Sequence, residues 1–329
     1  MTMQHEAILY SLDPKILFSQ IHEMNDYDKN KYSKLEERTQ ENNVHAMIAS
    51  EADVHYKILP IRPRVQMVYY IGDISLLNQK ILGIVWPRAM SLYGKQVLES
   101  LFTSAQEYDL VTVSGMADGV DQLCHKLSHD SNIPTIAVLW WGLWRYMKRP
   151  ERTIIDKIVA AGGLVLSEYK LWEKPSKYTF PQRNRLIAGL ADVLFLPEAG
   201  EKSGSLITVE CALTMKKPVY ATPSSIFSPT SAGILQLIET GSVKPIFDLP
   251  RFLATHFTPK NISSRPIPTI ELSDQERWLV SVLSRDEWME ISSLVQWTWW
   301  KVQEIISVIS LLEIKWIVWQ EVPGKYILI

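Results

Sequence analysis

The sequence predicts an α/β protein: a Rossmann-like, doubly wound parallel sheet followed by a small C-terminal winged-helix domain. From residue 80 onward, short apolar runs alternate regularly with amphipathic segments, as in successive βαβ units. These runs are apolar at successive positions, as expected of strands that are covered on both faces. A segment rich in Pro, Ser and Thr follows near residue 260, and helical patterns and a hairpin pattern come after it.

Six apolar runs provide the strands of the predicted sheet. Parallel strands require long crossover connections, and each interval between the runs is long enough to contain a helix. Two of these helices are expected over 94–107 and 118–130. The predicted strands cover 80–85, 110–113, 134–139, 163–168, 191–196 and 218–221.

The whole chain is expected to divide into four segments. The first is polar and weakly periodic, and its stretch 26–43 predicts a solvated helix or loop. The last combines three helical patterns, over 274–284, 291–295 and 301–313, with a hairpin, which is typical of a winged helix-turn-helix. The segments are an N-terminal extension (1–65), the Rossmann-like domain (66–254), a linker (255–272) and the winged-helix domain (273–329).

Charge and cysteine usage restrict the functional class. With 34 basic and 36 acidic side chains, a nucleic-acid site must be a local patch, and 170–185 provides one with five basic side chains and one acid. Cys124 and Cys211 form no CxxC pair, so we expect a reducing compartment and neither a disulfide nor a metal. The start of the chain has no secretion signal, and the longest apolar run is too short for a membrane span. We expect a cytoplasmic protein without a cofactor.

Tryptophan occurs where the fold predicts glycine. The chain has 12 Trp and only 14 Gly among 329 residues, whereas glycine usually makes up about 7% of a protein. Trp86, Trp140, Trp141 and Trp144 follow predicted strands, in turns where glycine allows tight geometry and close ligand approach. One interpretation is that these residues are glycines encoded by a reassigned UGA codon. The alternative is an aromatic-rich binding surface.

The stretch 180–213 predicts an anion-binding edge. Arg183 and Asn184 begin an apolar helical segment, a buried strand follows, and Ser203-Gly204-Ser205 then precedes a second helix. Free backbone N–H groups at a helix start bind anions, and open α/β sheets bind ligands at the carboxyl edge of their strands. The alternative is that Ser203 merely caps the helix and the arginines are solvated.

Other patterns argue weakly for catalysis. His125 and Asp121 lie four residues apart on one predicted helix, but no nucleophile or metal partner accompanies them. Neither a GxGxxG fingerprint with its acidic partner nor a Walker lysine motif is present. Glu168 and Glu198 both end predicted strands at the carboxyl edge, which keeps an enzyme conceivable.

Seven motifs follow one another: IVWPRAMSLYG, SGMADGVDQLCH, TIAVLWWGLWR, LVLSEY, KYTFPQRNRLIAGLADVLFLPEA, SGSLITVECAL and VYATPSS. In this order they resemble the DNA-processing protein A (DprA/Smf) family over roughly residues 56–250. The sequence departs from the family at the turns that contain tryptophan in place of glycine.

The resemblance implies a nonenzymatic recombination mediator that binds and protects incoming single-stranded DNA during natural transformation. It also implies homodimers and a RecA-type recombinase as partner. Arginine and lysine would pair with phosphates, backbone amides would donate to phosphate oxygens, and Phe180 would stack on a base. The residues carried over are Arg88, Ser114, Gly115, Lys177, Phe180, Arg183, Asn184, Ser203, Gly204 and Ser205.

Two other functions stay open. PEAGEKSGSLITVE lies where related Rossmann-like nucleotide N-glycosidases have a phosphate loop with a glutamate, so an enzyme would use Glu210. A regulator of duplex DNA would instead use the predicted winged helix, whose third helix exposes few side chains suited to reading bases.

Overall fold

The structure is a computed structural model of the chain. It describes residues 8, 29–48, 56–85, 87, 91–116, 120–147, 153–260, 273–283, 289–298, 300–314, 318–322 and 325–328. Two units are present, Met1–Lys260 and Asn261–Ile329. Within the described part of the chain, no helix has the length and apolar character needed to cross a membrane.

The first unit contains eleven short strands within the described residues. They are β1 (His45–Ile48), β2 (Met67–Gly72), β3 (Ile81–Ile84), β4 (Tyr108–Asp109), β5 (Val111–Gly115), β6 (Thr135–Val138), β7 (Leu164–Ser167), β8 (Val193–Leu196), β9 (Val219–Ala221), β10 (Lys244–Pro245) and β11 (Thr258–Pro259). Nine of them form one sheet in the order β1-β2-β7-β6-β5-β3-β8-β9-β10, and β4 pairs with β11. The seven neighbouring strands β7-β6-β5-β3-β8-β9-β10 are parallel to one another. Strand β2 is antiparallel to both of its neighbours, β1 and β7.

Helices connect the parallel strands. The Ser91 side chain caps the helix that begins at Leu92 by accepting a hydrogen bond from the Gly94 N–H. The helices are α1 (Lys29–Glu41), α2 (Leu92–Ala105), α3 (Val120–Asp130), α4 (Trp144–Met147), α5 (Thr153–Ala160), α6 (Thr179–Leu190), α7 (Ser205–Thr214), α8 (Ala232–Glu239) and α9 (Leu249–His256).

Both faces of the sheet are covered, which explains the continuous apolar runs. Ile81 and Leu194 pack on one face with residues of α6 and α7. Their neighbours Leu82 and Phe195 pack on the other face with residues of α2 and α9. Successive strand residues point to opposite faces, so a strand buried on both sides needs apolar residues at every position.

The large, mostly parallel sheet was predicted, and each of the six predicted strands coincides with an observed one (β3, β5, β6, β7, β8 and β9). The antiparallel edge was not predicted. The N-terminal extension contributes β1, so the predicted boundary at residue 65 separates two paired strands of one sheet. The predicted solvated segment contains α1, on which Tyr32 and Leu35 are buried.

The second unit contains three helices and three short strands within the described residues. Leu279, Leu294, Ile305 and Leu312 form its core. The strands pair in the order β12-β14-β13. Its elements are α10 (Asp274–Val282), β12 (Met289–Glu290), α11 (Ile291–Thr298), α12 (Val302–Ile314), β13 (Val318–Val322) and β14 (Lys325–Leu328).

A buried ion pair fastens the segment before β2 to the amino end of the sheet. The Lys57 ammonium lies 2.7 Å from the Asp192 carboxylate and donates to the Gln79 carbonyl at 2.6 Å. Asp192 also accepts the Ile81 N–H at 2.8 Å, so one carboxylate links β3, the residue before β8 and this segment. The Lys57 side chain is fully buried, and its burial lowers its pKa against the opposing effect of Asp192.

Replacement of Asp192 by Asn is expected to lower the free energy of unfolding by about 3 kcal/mol, because it leaves the Lys57 ammonium buried without a counter-charge. Urea denaturation provides the measurement. The matched control is Glu99→Gln, which breaks the exposed Lys95–Glu99 pair and should cost less than about 1 kcal/mol. Equal effects of the two substitutions would contradict a structural role for the buried pair.

Candidate functional site

The order of the strands places a crevice between the carboxyl ends of β3 and β8. From β3 the chain continues to β5, β6 and β7 on one side, and it returns to β8 on the other side before continuing to β9. Such a reversal separates the two connections that leave neighbouring strands, and ligands of open α/β sheets bind in the resulting gap. The predicted site residues follow β3 and β8, end β5, or lie on α6 and just before it.

Glu198 joins the two sides of this crevice. It follows β8 and is 1% exposed. Its carboxylate accepts the Ser91 N–H at 2.7 Å and the Ser91 hydroxyl at 2.6 Å, and the Thr230 hydroxyl lies 3.3 Å away. A carboxylate with these donors fixes the N-cap residue of α2 against the loop after β8. Glu198 therefore has a structural role at the edge of the site. Its position in the sequence did not predict this role.

Arg183 lies beneath the site, 1% exposed, and not on the surface. Its guanidinium donates to the Val138 carbonyl oxygen through Nη1 and to Asn184 Oδ1 through Nε at 3.2 Å. The Asp121 carboxylate lies 3.9 Å from Nη2. Burial lowers the pKa of Arg183 to about 10, so the side chain still carries its positive charge at neutral pH.

Phe180 covers this buried cation. The Arg183 guanidinium carbon lies 5.2 Å from the centre of the Phe180 ring, within the range of a cation–π interaction. The Trp140 ring meets Phe180 edge-on, with centroids 5.6 Å apart. On another side, a Cβ added at Gly204 would lie 4.0 Å from the Phe180 ring. Phe180 thus connects the cation, the turn after β6 and the start of α7.

The amino end of α7 has the character expected of an anion site. Gly204 is its exposed N-cap residue and has no side chain with which to cap the helix. The Ser203 and Ser205 hydroxyl oxygens lie 2.6 Å apart and interact with each other. The partial positive charge of a helix start favours negative groups here.

Ser114 and Gly115 end β5 and serve the interior. The Ser114 hydroxyl donates to the Ile84 carbonyl at 2.8 Å, and His125 Nε2 donates to the Gly115 carbonyl at 2.7 Å. A Cβ at Gly115 would collide with the carboxylate of Asp121 and the guanidinium of Arg183. A larger residue at position 115 would therefore displace one of these two charged groups.

The remaining predicted residues lie at different depths. Lys177 is exposed, and its ammonium lies 5.1 Å from the ring of Tyr178, which is itself 68% exposed. Asn184 is buried beside Arg183. Arg88 lies outside the described residues. The structure therefore links Gly115, Arg183, Phe180 and Gly204 through direct proximity, with Lys177 near them in the chain.

Sequence reasoning assigned other nearby residues with mixed success. Arg185 pairs with Glu168, so neither side chain is free at the carboxyl edge. Asp121 and His125 both support the buried cation site, Asp121 through Arg183 and His125 through Gly115. The four-residue spacing of Asp121 and His125 on one helix was the sequence signal that could have found them. A cavity of about 570 Å³ between α3 and α5 is lined by none of the predicted site residues.

Comparisons with known proteins agree with one another. The family model described as DNA recombination-mediator protein A matches residues 47–254. The chain is 37% identical over 172 residues to DNA processing protein DprA of Bacillus subtilis, covering 52% of this chain and 58% of that protein. It is 38% identical over 176 residues to the Streptococcus pneumoniae protein of the same name, covering 54% and 62%. The chain thus spans about 60% of the lengths of these two relatives.

Solved structures show the same similarity. The X-ray structure of DprA from Streptococcus pneumoniae superposes with a TM-score of 0.59 at 27% identity, covering 78% of this chain and 94% of that one. DNA processing protein A from Helicobacter pylori, described for its single-stranded DNA binding mode, gives 0.56 at 28% identity, covering 64% and 94%.

Glu198→Gln tests how the crevice is held together. Glutamine keeps the shape but has only one acceptor oxygen, so the donors of Ser91 lose part of their bonding, and we expect a loss of about 1–3 kcal/mol in unfolding free energy. Hydrogen exchange at the Ser91 amide should accelerate. Glu201→Gln, on the exposed part of the same loop, is the control and should change neither quantity; no difference between the two variants would remove this role of Glu198.

Proposed function

Because this chain belongs to the DNA recombination-mediator protein A family, we propose that it binds single-stranded DNA and acts as a recombination mediator. One observation carries the proposal: the contact series from Arg183 through Phe180 to Gly204 at the carboxyl edge of the sheet. It combines a permanent cation, an aromatic face and a helix start. A nucleotide offers a phosphate and a base, and these are the partners of such groups.

The exposed and the buried residues of the site would have different roles. Phosphate oxygens would accept from the backbone N–H groups at the start of α7 and pair with the exposed Lys177 and with Arg88. A base would stack on Phe180, whose ring Arg183 supports from below. The guanidinium would act through its field, because it is buried and bonds to interior groups.

The ten predicted residues are accordingly proposed with different roles. Ser114, Gly115 and Asn184 would shape the site from within, since all three are buried. Ser203, Gly204 and Ser205 would contact the anion. The Tyr178 ring, exposed beside Lys177, would extend the stacking surface.

The wider role follows from family membership. We propose that the protein protects incoming single-stranded DNA in the cytoplasm, works as a homodimer and helps load a RecA-type recombinase. The site would catalyse no reaction.

We also propose that the second unit is a winged helix that contacts a protein partner or DNA. Its three helices and its strand order β12-β14-β13 suit that fold. The exposed residues of α12 include Gln303, Glu304 and Ser307, a set suited to a protein partner or to nonspecific DNA contact. The proposed limits are 66–254 for the Rossmann-like domain, 255–272 for the linker and 273–329 for the winged helix, and the extension 1–65 adds β1 to the sheet of the first domain.

Fluorescence anisotropy with a labelled single-stranded oligonucleotide at several salt concentrations tests the site. Each lost phosphate contact reduces the slope of log affinity against log salt by about 0.7, so Lys177→Ala and Arg88→Ala should each flatten the salt dependence. Phe180→Ala should weaken binding by about 1–3 kcal/mol and leave the slope unchanged, because stacking releases no counterions.

The matched control for these variants is Lys95→Ala. Lys95 is an exposed lysine on α2 that pairs with Glu99, so its removal should alter neither affinity nor slope. Binding that is indifferent to all three site substitutions, or equally sensitive to the control, would refute the proposed site.

The enzyme alternative has its own assay. Glu210 is exposed on α7, one helical turn and more beyond Ser205. We expect no release of free base from nucleoside monophosphates, measured by chromatography of the products. Base release that disappears in Glu210→Gln would establish a nucleotide hydrolase and overturn the nonenzymatic proposal.

A further inference from the structure

Two tryptophan rings in the turn region after β6 and β7 occupy overlapping space. The centroids of Trp144 and Trp172 lie 3.4 Å apart with the ring planes inclined by 50°. Packed aromatic rings have centroids about 4.5–7 Å apart. A separation of 3.4 Å suits only parallel planes, so inclined indoles at this distance collide. At least one of the two positions fits a smaller residue.

Buried polar groups point to the same conclusion. The indole nitrogens of Trp140 and Trp172 are buried, and neither has a hydrogen-bond partner among the described residues. A buried tryptophan normally places its N–H against an acceptor, because an unpaired donor loses its bonds to water without replacement. Glycine at these two positions would remove both unsatisfied donors.

Trp140 also lies in a turn whose backbone approaches another segment closely. It follows β6 at the carboxyl edge of the sheet, and its ring stands edge-on to Phe180. Gly142, in the same turn, faces the Lys170 and Leu171 carbonyl oxygens so closely that a Cβ there would collide with them. The turn is therefore built for close backbone approach, which is the property that glycine supplies.

From these contacts we propose that residues 140, 144 and 172 are glycine in the protein made by its own cell, where the codon UGA is translated as glycine. We extend the proposal to Trp141, in the same turn, and to Trp86, which lies outside the described residues, because the sequence places both just after strands. The shortage of glycine in the written sequence, 14 residues beside 12 tryptophans, has the same origin. The collision between Trp144 and Trp172 opposes the alternative of an aromatic binding surface, which would require both rings. The proposal does not depend on the proposed function.

The substitution has a consequence for the site. Without the indole at position 140, the neighbouring edge of Phe180 is uncovered. Glycine at positions 140 and 141 also frees the backbone N–H groups of the turn to approach a phosphate.

The gene and the protein from its native cells together provide the test. Trypsin should release residues 127–145, which contain positions 140, 141 and 144, and residues 171–177, which contain position 172. We expect UGA codons and glycine masses at these positions in tandem mass spectra. Gly142 is the internal control, since it should have an ordinary glycine codon. UGG codons, or tryptophan masses in these peptides, would overturn the proposal.

Recombinant variants test the structural argument separately. Trp144→Gly should raise the urea midpoint of unfolding, because it removes the ring collision. Trp278→Gly, in the interior of α10, should lower the midpoint, because glycine weakens a helix. A lowered midpoint in both variants would contradict the collision. Glycine in the native peptides without single-stranded DNA binding by the native protein would remove the proposed function and leave this inference intact.

Discussion

The buried guanidinium of Arg183 is the constraint on which the site depends. A permanent cation inside a protein is stable only when opposite charge, carbonyl oxygens or aromatic faces replace its water. Asp121, the Val138 carbonyl and the Phe180 ring supply these groups from three different elements. Because the ion pair occupies the space beside β5, a side chain at residue 115 would displace Asp121 or Arg183.

Two carboxylates hold the opposite ends of the same strands. Asp192, before β8, joins Lys57 and the Ile81 N–H at the amino end of the sheet. Glu198, after β8, holds Ser91 at the carboxyl end. Each carboxylate connects β8 to the neighbourhood of β3, the two strands between which the chain order reverses. Buried polar contacts of this kind fix one arrangement of the strands, since any shift leaves charged or polar groups unpaired.

The proposed binding residues and the inferred glycines lie in the same small region. The turn after β6 lies beside Phe180, and Phe180 lies beside both the cation and the start of α7. The size of residue 140 would therefore govern access to the proposed nucleotide site. A side chain at that position changes the shape of the crevice without changing its charge.

The sequence by itself determined the parallel strands and the region of the site. Strands buried on both faces are continuously apolar, and this local pattern is independent of their spatial order. The motif residues around 180–185 and 203–205 likewise predict one edge of the sheet without any knowledge of their contacts. The antiparallel strands β1 and β2 were not predicted, because β1 is a short run in a polar region and its pairing is nonlocal.

Only the tertiary structure decided which of these residues are buried and what they contact. Arg183 and Lys177 are both basic residues of one short segment, yet one is buried against Asp121 and the other is exposed. The difference arises from the packing of α6 against distant strands and α7, which no local pattern encodes. The overlap of Trp144 with Trp172 is likewise a nonlocal fact, because steric conflict between residues 28 positions apart exists only after the chain has folded.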